Sequence, residues 1–305
     1  MHLGNASSAL LAWLSVRAAG GSFVMRMEDL DRNRVRPGLA ERILEDLAWL
    51  GLDWDEGPDC GGRHAPYEQW PRRELYRAAF TTLREAGRLY RCFCSRKDIA
   101  AAASAPQTPG EEVRYPGTCL GLSDEESEDR AATGARHAWR FRVDPQAGPG
   151  FQDLVCGRRG DDLPPPGDFV VWRSDEVPAY QLAVVVDDIA MGITEVVRGD
   201  DLLPSTTKQI LLYEALDHAP PAFGHVPLLL GPDGVRLSKR HDGVTLRELR
   251  ESGFTPERIV GRLACLVGLR PTPEPLPAQA LVEGFSLGRV RPAPDGIVVD
   301  PSGWG

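Results

Sequence analysis

The sequence predicts an α/β protein: a doubly wound layer that lacks its first strand and is interrupted by a β-rich insertion. Three observations carry that expectation. The first ninety residues run helix, strand, helix, helix and short strand; composition changes near residue 95; and a β–α pattern resumes around residue 177.

Each element has its own signal. "ASSALLAWLSVRAAGG" spaces apolar residues helically and ends in a Gly pair, a stop signal. "SFVMRMEDL" alternates and is expected as a strand carrying Arg26 and Glu28 at its end. "PGLAERILEDLAWLGL" reads as an amphipathic helix with Pro at its start and Gly near its end. "PRRELYRAAFTTLREAGRLYRCFC" reads as another helix followed by a short strand.

From about residue 95 to 136 the chain is rich in Ala, Ser, Gly, Pro and acids, with little periodicity. "HAWRFRV" alternates like a strand, and Gly157 to Leu203 reads as several strands with turns. Within it "AYQLAVVVDD", and then "EVVRGDDLLPSTTKQILLYEAL", return to the β–α pattern. "VPLLLGPDGVRLSKRHDGVTLRELRES" places a basic loop between an apolar run and a helix; a short helical segment and a Pro-rich tail follow. The expected division is 1–90 and 177–242 for the two halves of the layer, 91–176 for the insertion and 243–305 for the C-terminal segment.

At 305 residues the chain can bury a substantial core. No apolar run approaches the roughly 18–20 residues needed to span a bilayer. The N-terminus lacks the basic region and small-residue cleavage site of a secretory signal, so a cytoplasmic protein is expected. A net charge of −9 argues against wholesale coating of nucleic acid, although a local basic groove is compatible with it. Six cysteines at uneven spacings suit a reducing compartment and a metal better than a disulfide framework.

Three constellations carry chemistry. In "HLGN", Asn5 is placed to cap the following helix, Gly4 permits close approach of a ligand, and His2 offers a donor to a phosphate oxygen. An ordinary capped helix explains the same four residues. In "RLSKR", Arg236 to Arg240, a Gly-flanked loop carries cations including Lys239 that could close over a triphosphate; a solvated basic loop is the alternative. Cys92 and Cys94 in "CFC", with Cys119 inside thirty residues, have the spacing of a structural zinc site, against a reading as merely buried thiols. Cys60, Cys156 and Cys265 have no such partner spacing.

Taken together, "HLGN" and "RLSKR" resemble the two signatures of the class I aminoacyl-tRNA synthetases. "RMEDLD", "WLGLDWDEGPD", "AYQLAVVVDDIAMGITEVVRGDDLLPSTTKQ" and "RLSKRHDGVTL" narrow the resemblance to the glutamyl branch, from residue 2 to roughly 270. The resemblance implies a Rossmann-type catalytic fold with a zinc-bearing inserted subdomain and a short helical C-terminal segment. It also implies glutamate binding by Tyr180 and Arg198, and an arginine fork suits a carboxylate. Glu28, at the end of its expected strand, suits the substrate ammonium. Asp187 and Asp188 are expected as scaffold and loop-capping carboxylates.

Little more than sixty residues follow the basic loop, too few for the anticodon-binding domains of a glutamyl-tRNA synthetase. Cys92, Cys94, Tyr115 and Cys119 resemble the C-x-C…Y-x-x-x-C zinc site of the short relatives that glutamylate queuosine in tRNA(Asp). A monomeric ligase is therefore implied, acting on ATP with Mg²⁺, L-glutamate and queuosine-bearing tRNA(Asp), with one structural Zn²⁺. His2, Gly4, Asn5 and Lys239 would hold ATP, and His2 and Lys239 would act on the leaving pyrophosphate. Relatives carry a strand before "HLGN" that is not seen here. A start codon assigned too late and a true loss of activation are both compatible with that, so a truncated glutamyl-tRNA synthetase core and an inert tRNA- or adenylate-binding paralogue stay open as alternatives.

Overall fold

The computed structural model describes residues 1–33, 35–102, 114–148, 150–160, 166–237 and 245–300. The helices are α1 (Leu3–Ala18), α2 (Leu39–Trp49), α3 (Arg73–Glu85), α4 (Arg96–Ala102), α5 (Asp124–Ala132), α6 (Tyr180–Met191), α7 (Leu203–Ala215), α8 (Leu246–Glu251) and α9 (Pro256–Leu266). The strands are β1 (Leu89–Cys92), β2 (Ala138–Phe141), β3 (Phe151–Asp153), β4 (Gly157–Arg159), β5 (Phe169–Trp172), β6 (Glu195–Gly199), β7 (Ala222–Val226), β8 (Leu229–Leu230) and β9 (Ile297–Val298).

α1 forms because Leu3, Ala6, Leu10, Leu11, Trp13 and Leu14 recur at three- and four-residue steps and are all buried. It stops where Gly20 turns left-handed at φ 65° and the Gly21 amide returns to the Val16 carbonyl. The helix starts earlier than the capping expectation for Asn5. His2 occupies the cap in extended geometry without a side-chain cap bond, and Asn5 lies inside the first turn.

"SFVMRMEDL" departs from the expected continuous strand. The segment is tied at isolated points, with Val24 bridging Glu56 and Met27 bridging Glu68, each in parallel. Its amides bond to two different stretches, Met25 to Glu56 and Met27 to Tyr67, so no single partner strand builds a ladder. "AYQLAVVVDD" is a second correction: it is the body of helix α6. Leu182 through Asp188 are all buried, and a helix enclosed on every side has the same unbroken apolar run as an interior strand.

The larger sheet has the order β4-β3-β7-β6, parallel from β3 through β7 to β6, with β4 antiparallel at one edge. α1 packs on β6, and α6 and α7 pack on each other. A separate antiparallel sheet, β1-β2-β5, registers Leu89 with Phe141 and Phe141 with Phe169. The C-terminal tail contains more than Pro-rich coil: β9 pairs parallel to β8. No helix among the described residues is long and apolar enough to cross a membrane.

Two apolar cores result. One gathers α1, α8, α9 and the tail around Leu10, Leu14, Val260 and Val290; the other gathers α3, α6, α7 and the smaller sheet around Phe141, Leu182 and Leu212. Asp187 lies wholly buried in α6 and accepts from Arg72 Nε at 2.6 Å, Gln69 Nε2 at 2.8 Å and the Tyr76 hydroxyl at 2.9 Å. Burial and the Asp187 charge push the Tyr76 phenol well above its ordinary pKa, so it stays a donor. Removing the carboxylate would strand a buried guanidinium, which typically costs about 3–5 kcal/mol. Asp187→Ala is therefore expected to lower the urea unfolding midpoint steeply, and an unchanged midpoint would contradict the bracing role.

Candidate active site

The start of α1 meets both described roots of the "RLSKR" loop. Thr245 bridges His2 and the Leu246 amide bonds to the Met1 carbonyl at 2.8 Å. On the other side, Leu230 and Arg236 form a bridge, and the Leu237 amide reaches the Leu229 carbonyl at 3.1 Å. Arg236 pairs with Asp201 and donates from Nη2 to Asn5 Oδ1 at 3.4 Å. Lys239 itself lies outside the described residues.

The first turn of α1 contains no acidic residue and receives no side-chain cap, so its amides and positive dipole end remain suited to an anion. A Cβ on Gly4 would meet nothing within 4 Å, so packing does not require glycine here and space lies open beside the backbone. Glu248 caps α8 near His2. The Thr245 hydroxyl and amide hold its carboxyl below the ordinary range, with small contributions from His2 and the N-terminus.

Glu28 lies 152 and 170 positions before Tyr180 and Arg198 in the chain, yet the fold brings the three within electrostatic reach of one another. Tyr180, the first residue of α6, is 41% exposed; its hydroxyl hydrogen-bonds with Arg198 and feels the Glu28 charge. Its pKa is raised, first by burial and then by the Glu28 charge, against the pull of Arg198 and Arg26. Arg26, named with Glu28 at the end of the expected strand but given no role there, joins this group. It donates to Asp188 Oδ1 at 2.6 Å and to Glu28 Oε1 at 3.3 Å. Tyr213 satisfies Asp188 Oδ2 at 3.1 Å, so Asp187 and Asp188 brace this region from within α6 and cap no loop.

Arg198 forms no ion pair with Asp200 or Asp201; Asp201 is taken by Arg236. Among the described residues its bonds are to neutral groups: Nε donates to His225 Nε2 at 3.1 Å and Nη2 to Thr206 Oγ1 at 2.8 Å. The guanidinium also stacks 5.3 Å from the Phe223 ring centre. Burial lowers its pKa, which expresses how incompletely its charge is compensated. His225, Thr206 and the Asp153 behind them carry no spacing signal; they become visible only when β7 is laid beside β6.

At and beyond the end of β1, the sulfurs of Cys92, Cys94 and Cys119 all lie within 4.8 Å of one another. Cys94 Sγ is 3.6 Å from Cys119 Sγ and 3.9 Å from the Tyr115 hydroxyl. A tetrahedral ion with bonds of about 2.3 Å to sulfur separates its thiolates by roughly 3.8 Å, so the cluster could hold a metal ion. Burial and the neighbouring Cys119 and Cys92 push the Cys94 thiol up to about 11, the penalty a bound cation would reverse. The Tyr115 hydroxyl accepts the Cys119 amide at 2.7 Å, and Arg140 stacks on its ring at 3.8 Å.

Asp200 sits at the end of β6 beside Asp201. Burial first, then the Asp201 charge, raises its pKa to about 6, with backbone amides partly opposing. A carboxyl raised on folding contributes stability below its unfolded pKa that is lost as pH rises through about 6. Asp200→Asn should therefore match the parent protein near pH 4 and exceed it at pH 8, on the order of 1 kcal/mol after solvent screening. Urea midpoints at the two pH values check this, and a parallel pH dependence in both proteins would refute it.

Residues 1–275 match the class I tRNA synthetase (E and Q) catalytic domain. The chain is 54% identical to a glutamyl-Q tRNA(Asp) synthetase of Symbiobacterium thermophilum, over 96% of this chain and 91% of that one. It is 48% identical to the protein of the same name from Nitratidesulfovibrio vulgaris, over 89% of this chain and 84% of that one. A solved structure of a glutamate tRNA ligase from Elizabethkingia meningosepticum, in complex with its amino acid, superimposes with a TM-score of 0.83 at 28% identity. That match covers all of this chain and 65% of the other. The chain thus has the class I glutamyl-tRNA synthetase-like catalytic fold, and it belongs to the class I tRNA synthetases of the E and Q type, a family of ligases.

Proposed function

We propose that the protein activates L-glutamate with ATP and transfers it to the queuosine base in the anticodon loop of tRNA(Asp). One observation carries this reading: a half-buried arginine whose bonds among the described residues go to neutral groups lies close to a tyrosine and an exposed glutamate. Arg198 and the Tyr180 hydroxyl would take a glutamate carboxylate, and Glu28 the ammonium. The specific tRNA is suggested by the names of the two relatives matched over 91% and 84% of their lengths.

In the first step an α-carboxylate oxygen of glutamate attacks the α-phosphorus of ATP and the bond to pyrophosphate breaks. His2, the amides at Gly4 and Asn5, and Lys239 would bind ATP and neutralise charge growing on the leaving group. Mg²⁺ bound to the phosphates would share that charge. In the second step a queuosine ring hydroxyl attacks the carbonyl carbon and AMP departs. Catalytic halves at 1–90 and 177–242, an insertion at 91–176 and a C-terminal segment at 243–305 belong to the same proposal.

Cys92, Cys94, Cys119 and Tyr115 would hold one structural Zn²⁺, which staples a core of few apolar residues. The tRNA would lie across this insertion. Arg91 stacks 4.6 Å from Trp139, and His137 lies 5.8 Å from Trp139 and 5.4 Å from Phe93, a cationic and aromatic strip suited to phosphates and unstacked bases.

Incubation with ATP and labelled glutamate should label tRNA(Asp) that carries queuosine and leave tRNA(Asp) lacking it unlabelled. Charging of tRNA(Glu) instead would favour the activity named in the glutamate–tRNA ligase of Acidithiobacillus ferrooxidans, 44% identical over 96% of this chain and 61% of that one. Cys92→Ser should reduce zinc content, measured by elemental analysis, from one equivalent to well below one. Full occupancy in that variant would remove Cys92 from the ligand set.

A further inference from the structure

The geometry points to His225 and Asp153 as positioning residues that orient the Arg198 guanidinium for a ligand carboxylate without neutralising it. The inference rests on the reading that Arg198 takes a carboxylate of the amino-acid substrate. Arg198 of β6 and His225 of β7 are register partners in the parallel ladder, so their side chains leave the sheet on the same face. Asp153 ends β3, on the far side of β7. Asp153 and His225 have no exposed side-chain surface.

The hydrogen bonds leave one consistent assignment. Asp153 Oδ1 accepts the amides of Val155 at 2.9 Å and Cys156 at 2.8 Å, and Oδ2 faces His225 Nδ1 at 2.6 Å. A carboxylate can only accept, so Nδ1 carries the proton. Nε2 of the neutral imidazole is then a lone pair, and the Nε–H of Arg198 donates to it at 3.1 Å; the Thr206 hydroxyl lies equally close to Nε2 and has the Leu202 carbonyl at 3.4 Å for its own hydrogen. A doubly protonated ring would face the guanidinium donor to donor. Burial and the Arg198 charge accordingly hold the His225 pKa below its ordinary value, although Asp153 opposes them.

Thr206 Oγ1 takes an Nη2 hydrogen at 2.8 Å. The Nε–Nη2 edge is thereby spent on the protein, and the guanidinium's other contact is the Tyr180 hydroxyl, which a ligand carboxylate would share with it. A carboxylate in direct contact would fix the same orientation but compete with the substrate. Placing an imidazole between Asp153 and Arg198 separates orientation from neutralisation.

Two substitutions distinguish the parts of the ring. His225→Asn keeps a donor toward Asp153 and loses the acceptor for Arg198; His225→Gln keeps an acceptor at the reach of Nε2. Dissociation constants for L-glutamate and ATP are measured by calorimetry, with thermal midpoints alongside. The expected result is glutamate binding weakened about tenfold in the Asn variant, ATP binding within about twofold, and most glutamate affinity restored in the Gln variant. The Arg198 Nε–H resonance should exchange slowly in the parent and Gln proteins and rapidly in the Asn protein. Glutamate affinity that follows only the thermal midpoint, or that stays unchanged in the Asn variant, would overturn the positioning role. Arg198→Ala separates the two ideas. If it leaves glutamate binding intact, the substrate reading falls together with this inference; if it weakens binding while His225→Asn does not, only the positioning role falls.

Discussion

A full negative charge with no exposure, carried in the middle of an apolar helix, is the constraint around which this molecule is arranged. Asp187 can occupy that place only because Arg72, Gln69 and Tyr76 converge on it. Those donors come from α3 and the turn preceding it, so their relation to α6 is set by the electrostatics of one carboxylate. Asp188, one residue on and rotated by about 100° around the helix, faces Arg26 and Tyr213 of α7. Two adjacent acids thus bind α6 to three other segments, and Arg26 carries the arrangement on to Glu28.

The site inherits its order from that scaffold. α6 delivers Tyr180 at its first turn, α7 delivers Thr206, and the parallel pair β6–β7 delivers Arg198 and His225 side by side. Charges within this group are unequally compensated. Asp188 is held by Arg26 and Tyr213, while Arg198 contacts neutral groups among the described residues. Such an imbalance costs stability through desolvation, and it is how a binding site retains attraction for a ligand that has yet to arrive.

The small sheet meets a different problem. It is well packed through Phe141, Phe169 and Trp172, but among the described residues the segment beyond β1 has a minor cluster around Cys92, Tyr115 and Cys119. With so little apolar area, cross-linking through side chains is the available route to a defined shape. Three sulfurs already lie within 4.8 Å, drawn there by the ends of separate segments. Strands that lie between those of the small sheet in sequence join the larger one: β3, which follows the small sheet's second strand, pairs with β7 on one side and β4 on the other.

Elements with a local cause were legible in the chain alone. Apolar spacing specified α1, Gly20 and Gly21 ended it, and the thiol spacing named the three residues that come together. The chain also named Glu28 from its place at the end of an expected strand, and Tyr180 and Arg198 through resemblance, and the fold brings the three within electrostatic reach of one another. That "AYQLAVVVDD" is a helix emerges from its packing, because a run enclosed on all sides has no periodicity to declare itself. Likewise, "SFVMRMEDL" pairs point by point with two segments more than thirty residues away, a geometry no alternation pattern encodes. The group that orients Arg198 is the clearest case: Asp153, Thr206 and His225 have ordinary local surroundings, and their relation exists only across three strands and a helix. Hydrophobic periodicity is a property of neighbours along the chain, whereas hydrogen-bond complementarity between distant polar groups is a property of the folded sheet alone.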